Sequence, residues 1–141
     1  MKRDRREALG RSRGGYGTKA VVTADAEGRA IGFLLAPGQA HELPLAPAMI
    51  DALPDTPLRI VGDRGFSSDS FREQIWDASA QPAIPPKKNE TKFRCPDFIY
   101  VYRNCIERLW NRLKEWRAVA TRYEKTANSF LGVLRLAATA D

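Results

Sequence analysis

Residues 100–116 read YVYRNCIERLWNRLKEW. At 100° per residue, Tyr100, Arg103, Glu107, Asn111 and Lys114 fall on one narrow stripe of a helix. Tyr102, Cys105, Ile106, Leu109, Leu113 and Trp116 collect on the opposite side, with Trp110 towards one edge, and that side is expected to be core. The two tryptophans read as packing residues before they read as base-stacking ones. The helix therefore presents a carboxylate flanked by Arg103 and Lys114 on a heavily apolar backing. Two readings of Glu107 stand at this point. It forms an i−4 ion pair with Arg103, worth about 0.2–0.5 kcal/mol, or it is a metal ligand whose neighbouring cations hold phosphates.

On either side of this helix the chain is basic. Residues 86–98 (PKKNETKFRCPDF) are polar and bounded by prolines, and read as a loop carrying Lys87, Lys88, Lys92 and Arg94. These are either a solvated loop or non-specific phosphate contacts, which need only positive charge and reach. Arg117, Arg122 and Lys125 extend the basic surface past the helix end, where part of the charge complements the helix dipole. A last helix is expected over 126–138.

Further upstream, Leu58-Arg59-Ile60-Val61 is a short apolar strand that ends at Gly62-Asp63. Ligand sites in open α/β sheets gather at the carboxyl ends of strands, so Asp63 is well placed for a hard cation. As a turn residue or helix N-cap it has an equally ordinary role, which Gly65 favours. Ser67 or Ser68 caps a helix running to about Ser79, and residues 82–85 read as a short edge strand. Nearer the N-terminus, strands over 18–23 and 30–35 flank the turn Asp25-Ala26-Glu27-Gly28, and a helix is expected over 43–53. A hairpin followed by alternating helices and strands argues an α/β or α+β layer fold.

Composition agrees with a globular chain. Its 141 residues make one domain by length, with 43% hydrophobic and 28% charged residues and a net charge of +6, which favours a polyanionic partner. Residues 1–17 read as a basic flexible arm and 18–141 as the folded domain. Two cysteines, Cys95 and Cys105, and the single loop histidine His41 exclude a zinc cluster or a disulfide framework. Gly10, Gly14, Gly15 and Gly17 lack the GK[ST] of a nucleotide loop. No apolar run approaches the roughly 20 residues of a membrane span, and the charged N-terminus leads into no apolar stretch of a signal peptide. Two carboxylates on separate rigid elements in basic surroundings suit two-metal phosphoryl transfer, because Mg²⁺ takes oxygen ligands and keeps several waters.

Tyr100-x2-Arg103-x3-Glu107-x6-Lys114 resembles the Tyr-Arg-Glu-Lys signature of a large group of bacterial insertion-sequence DDE transposases. The flanking text RNCIERLWNRLKEWRAVATRYEKTANSF (103–130), GRSRGGYGTK (10–19), FLLAPGQAHE (33–42) and VGDRGFSSD (61–69) resembles that group too, so the likeness spans almost the whole chain. It implies a partial RNase H-like α/β fold, a mixed sheet flanked by helices with the first strand missing. It implies that Asp63 and Glu107 are catalytic, metal-binding members of a DDE triad served by two Mg²⁺ (or Mn²⁺) ions. Arg103, Lys114 and Tyr100 inherit DNA contact, and Lys87, Lys88, Arg117 and Arg122 join them as basic candidates. The implied partner is double-stranded DNA, at transposon ends and target, bound by an oligomer or by a fusion with an upstream reading frame in the bacterial cytoplasm near the nucleoid. In the family the first Asp lies upstream of the block that begins here at Gly10. Asp4 in the arm and Asp25 in the hairpin turn do not replace it, so the chain alone is expected to be a weak or inactive enzyme. The alternative is a catalytically inactive fragment that binds DNA non-specifically or associates with full-length transposase. A third reading is an unrelated RNase H-like nuclease.

Overall fold

A computed structural model of the protein describes residues 8–13, 15–90 and 93–141. It divides into two units, one made of the chain up to His41 together with Ile106–Asp141, the other of Glu42–Cys105.

In the first unit, β1 (Gly10–Ser12), β2 (Gly15–Ala24) and β3 (Ala30–Pro37) form an antiparallel sheet in that order. Alternation along the strands sorts side chains onto two faces. Val22 pairs with Phe33 and Ala20 with Leu35, and this set faces one way. A register shift at Thr23/Ala24 skips Ile31, which is exposed, and brings Ala30 opposite Ala24 on the same apolar face. That face is covered by α4 (Asn104–Leu113), through Leu109 and Leu113, and by α6 (Ala127–Ala140), through Phe130, Leu134 and Ala137. The short α5 (Arg117–Ala120) adds Val119. Thr126 caps α6 by accepting the Ser129 N–H at 3.2 Å. Arg112 ties α4 to its surroundings. Its Nε donates to both Asp141 carboxylate oxygens at 2.9 Å and its Nη2 to the Gly28 carbonyl at 2.9 Å.

The turn between β2 and β3 is built on Asp25. Its Oδ1 accepts the Glu27 and Arg29 N–H groups at 3.0 and 2.9 Å, and its Oδ2 accepts Arg29 Nε at 2.8 Å. Gly28 takes the left-handed φ of 81° that closes the loop. The Arg29 backbone N–H, aided by the Arg29 guanidinium and the Glu27 N–H and opposed by burial, holds the Asp25 carboxyl below the usual aspartate range. A group whose folded-state pKa is depressed contributes stability that is fully present above its unfolded value and lost as pH falls through the folded one. Asp25→Asn should therefore flatten the acid limb of melting temperature against pH below the ordinary aspartate value, while leaving the neutral part of the curve parallel to wild type. An unchanged acid limb would count against this turn.

The second unit is a strand–helix–strand crossover. β4 (Arg59–Val61) and β5 (Gln81–Ala83) pair in parallel, which requires a connection across the sheet face. That connection is a 3₁₀ turn (Arg64–Phe66) followed by α2 (Asp69–Asp77), capped by Ser68. A 3₁₀ turn (Leu43–Leu45) running into α1 (Ala46–Asp51) precedes β4, and α3 (Asp97–Tyr100) follows β5. Ala46, Phe71, Ile75, Ala80 and Ile84 form the core.

Three expectations change. The single mixed sheet is present as two sheets, one antiparallel and one parallel, each with its own buried cluster. The one helix over 100–116 is α3, a 3₁₀ turn (Val101–Arg103) and then α4, which stops at Leu113. The tighter winding of the 3₁₀ turn moves Tyr102 off the apolar stripe, and Trp116 sits in extended backbone ahead of α5. Both are exposed, at 55% and 46%, so they are not core residues, whereas Leu109 and Leu113 are fully buried as expected. Trp110 packs edge-on against Phe33 with ring centroids 6.2 Å apart. The β1–β2 hairpin falls within the stretch read as an arm, whose residues 1–7, Asp4 among them, lie outside the described residues. Among the described residues no helix is long and apolar enough to cross a membrane.

Candidate functional site

Asp63 lies two residues past the end of β4, in the second unit. Its backbone is extended and its Oδ1 accepts the Gly65 N–H at 2.7 Å, capping the 3₁₀ turn. A Cβ at position 65 would stand 2.9 Å from that oxygen, so glycine is what lets the carboxylate close over the turn. The turn-capping role read from sequence is thus real. It does not exhaust the group, since a carboxylate has two oxygens and about four lone-pair sites. One backbone bond orients the group and leaves it capacity.

Glu107 is exposed in the first turn of α4, in the first unit. Tyr100 and Arg103, which precede it on α3 and the 3₁₀ turn, do come together. Arg103 Nη1 donates to the Tyr100 hydroxyl at 3.3 Å, with the guanidinium 5.6 Å from the ring centroid. Lys114 and Arg117 are exposed just past α4 and at the start of α5. Arg122 is different. Its guanidinium donates to the Glu124 and Lys125 carbonyls and to the Thr18 hydroxyl, and lies 5.4 Å from the Phe130 ring. It clamps the C-terminal segment to β2, a structural role that the sequence reading did not assign to it.

Lys87 and Lys88 are exposed on a turn closed by the Glu90 N–H donating to the Lys87 carbonyl at 2.9 Å. Arg94 is exposed, and Lys92 lies outside the described residues. Behind the turn sits a polar cluster that the sequence reading did not find. Arg72 (2% exposed) and Ser67 (0%) are buried, and both reach Glu90. The Ser67 hydroxyl holds the Glu90 carboxyl below its ordinary range, with burial opposing and the Lys87 N–H and Arg72 assisting. One signal was available. Phe71, Arg72 and Ile75 share the buried side of α2, and an arginine among core positions of a helix needs a partner.

Among the described residues no group of three or more His, Cys, Asp or Glu side chains could hold a metal ion. Asp25 accepts three hydrogen bonds within its own turn. His41 is exposed. Both cysteines are free, and burial, together with the charge of Asp97, pushes the Cys95 thiol up, away from thiolate chemistry.

Comparison with known proteins places these elements. Two family models, each described as a transposase DDE domain, match residues 60–141 and residues 4–95. A Brucella ovis protein named as the transposase for insertion sequence element IS6501 is 28% identical over 123 residues, covering 85% of this chain and 93% of that protein. No solved structure matches the chain significantly. With each model spanning more than half of its length, the chain belongs to the DDE transposase domain family.

Proposed function

We propose that Asp63 and Glu107 are two of the carboxylates with which this transposase domain cuts and joins DNA, on an RNase H-like scaffold. The observation that supports this best is the position of Asp63, beyond the carboxyl end of a strand in a parallel pair, with its carboxylate oriented by the Gly65 N–H. Domains of this family act with divalent metal ions. Oxygen donors from carboxylates suit Mg²⁺, or Mn²⁺ in its place. A pair of such ions would supply activation of the attacking oxygen and charge compensation at the leaving oxygen. The chain's own residues do the rest. Lys87, Lys88, Arg103, Lys114 and Arg117 bind phosphate oxygens and hold the duplex, and the Tyr100 hydroxyl orients the Arg103 guanidinium for that contact. Arg122, tied to Thr18 and the Glu124 and Lys125 carbonyls, stands at the edge of this set.

Two carboxylates fall short of a full donor set, and the described residues contain no group of three. The reading therefore calls for a third carboxylate from outside this pair. The same observation favours a second reading, in which this chain alone is a DNA-binding fragment with little catalysis.

Convergence of the two acids can be read without turnover. With Fe²⁺, ascorbate and peroxide replacing the native ion, backbone scission is expected near Asp63 and near Glu107 in the same preparation, and Mg²⁺ should compete both away. Scission near one acid alone would refute a shared site.

A further inference from the structure

Buried Ser67 and Arg72 meet the partly exposed Glu90 in one polar knot in the second unit. Arg72 Nη2 donates to Ser67 Oγ at 2.7 Å, to Glu90 Oε2 at 3.2 Å and to the Ile84 carbonyl at 3.5 Å. Its Nη1 reaches Asp69 Oδ1 at 3.5 Å, and its guanidinium lies 4.1 Å over the Phe93 ring. The Ser67 hydroxyl donates to the same Glu90 Oε2 at 2.5 Å. That oxygen also accepts the Lys87 N–H at 3.2 Å. One carboxylate oxygen thus gathers a serine, an arginine and the backbone of the lysine turn.

The knot has two ends. Ser67 closes the 3₁₀ turn that Asp63 opens, its N–H donating to the Arg64 carbonyl at 3.1 Å. Glu90 grips Lys87 twice, by side chain and by backbone. Between β5 and α3 the described chain has no helix or strand, so regular backbone pairing does not fix where Lys87 and Lys88 stand. The knot does. A charge-assisted set of hydrogen bonds anchored on two buried side chains is stiffer than a solvated ion pair.

We propose that Glu90, with Ser67 and Arg72, is a positioning residue that locks the Lys87–Lys88 turn to the turn bearing Asp63, so that the two lysines meet the phosphates of duplex DNA at a set distance from that carboxylate. This rests on the reading of Lys87 and Lys88 as phosphate contacts.

The expected sign is unusual. Glu90→Ala removes a negative charge beside two lysines, and a purely electrostatic surface would then bind DNA more tightly. A positioning residue gives the opposite result. In the full chain, binding of a short mixed-sequence duplex should weaken several-fold in Glu90→Ala. The slope of log K against log salt should shrink, by up to about one unit for each lysine displaced. Glu90→Ala should add little further loss to Lys87→Ala/Lys88→Ala, because its effect passes through those side chains. Trypsin cleavage after Lys87 and Lys88 should be several-fold faster in Glu90→Ala than in wild type, with or without DNA. If Glu90→Ala does not fold, Ser67→Ala, which deletes only the hydroxyl, carries the same tests. Equal or tighter DNA binding, or additive losses, would overturn the proposal, and an unchanged tryptic rate would remove the knot itself. A flat salt response in wild type would instead overturn the DNA reading of the lysines, and the proposal with it, while the tryptic rate still reports whether the turn is locked.

Discussion

Glu107→Gln is expected to lower divalent-metal-dependent nicking of duplex DNA by more than about 100-fold, and Asp63→Asn to do the same. Partners that merely orient a metal ligand already contribute about 10–100-fold, and loss of a ligand carboxylate should exceed that. Both substitutions preserve shape and remove only the anionic charge that a hard cation needs. Neither should disturb the fold. Glu107 is exposed, and asparagine caps a turn about as well as aspartate, so the bond from the Gly65 N–H survives. The measurement is nicking of supercoiled plasmid with and without a chelator. Equal nicking by wild type and Glu107→Gln would remove Glu107 from the site, and chelator-resistant nicking would remove the metal.

The second large effect is on stability. Leu134 is completely buried on α6, in the cluster that includes Val22, Phe33, Leu109 and Leu113. Leu134→Ala should cost about 2–5 kcal/mol, the transfer free energy of the lost methyls plus the cavity they leave. It should lower the melting temperature on the order of 10 °C. Leu136, two residues on and 70% exposed, supplies the contrast. Leu136→Ala should stay within about 0.5 kcal/mol of wild type. Similar losses at both positions, measured by chemical denaturation, would mean that α6 does not present the face described.

Patterned segments were legible from sequence. The Asp25–Gly28 turn, the alternation in β2 and β3, the serine cap of α2 and the start of α6 near Thr126 all rest on local chemistry that a few adjacent residues carry. What stayed hidden depends on residues far apart or on breaks without markers. No proline or glycine announces the 3₁₀ turn at Val101–Arg103 or the end of α4 at Leu113, so the periodicity read straight through both. β1, with two glycine- or serine-type residues in three, has no apolar alternation, and only its pairing with β2 makes it a strand. The position of Asp63 just past a strand end was legible because the apolar run before it marks that strand. The structural contact of Arg122 stayed hidden because its partner Thr18 is 104 residues away. Glu90 was missed for the same reason on a smaller scale, being 18 residues from Arg72.

The first unit is closed by segments from opposite ends of the chain, and this bears on synthesis. The β2–β3 hairpin leaves the ribosome well before Phe130, Leu134 and Ala137, which cover Val22 and Phe33. At about 5–20 residues per second, the roughly 100 intervening residues keep that oily strand pair waiting ~5–20 s. Residues 42–105 form a contiguous stretch with their own core and are free to close first. A nascent chain stalled before α6 would carry a finished second unit and a hairpin covered only by α4 and the short α5, the kind of surface that chaperones bind and that drives aggregation when they are scarce.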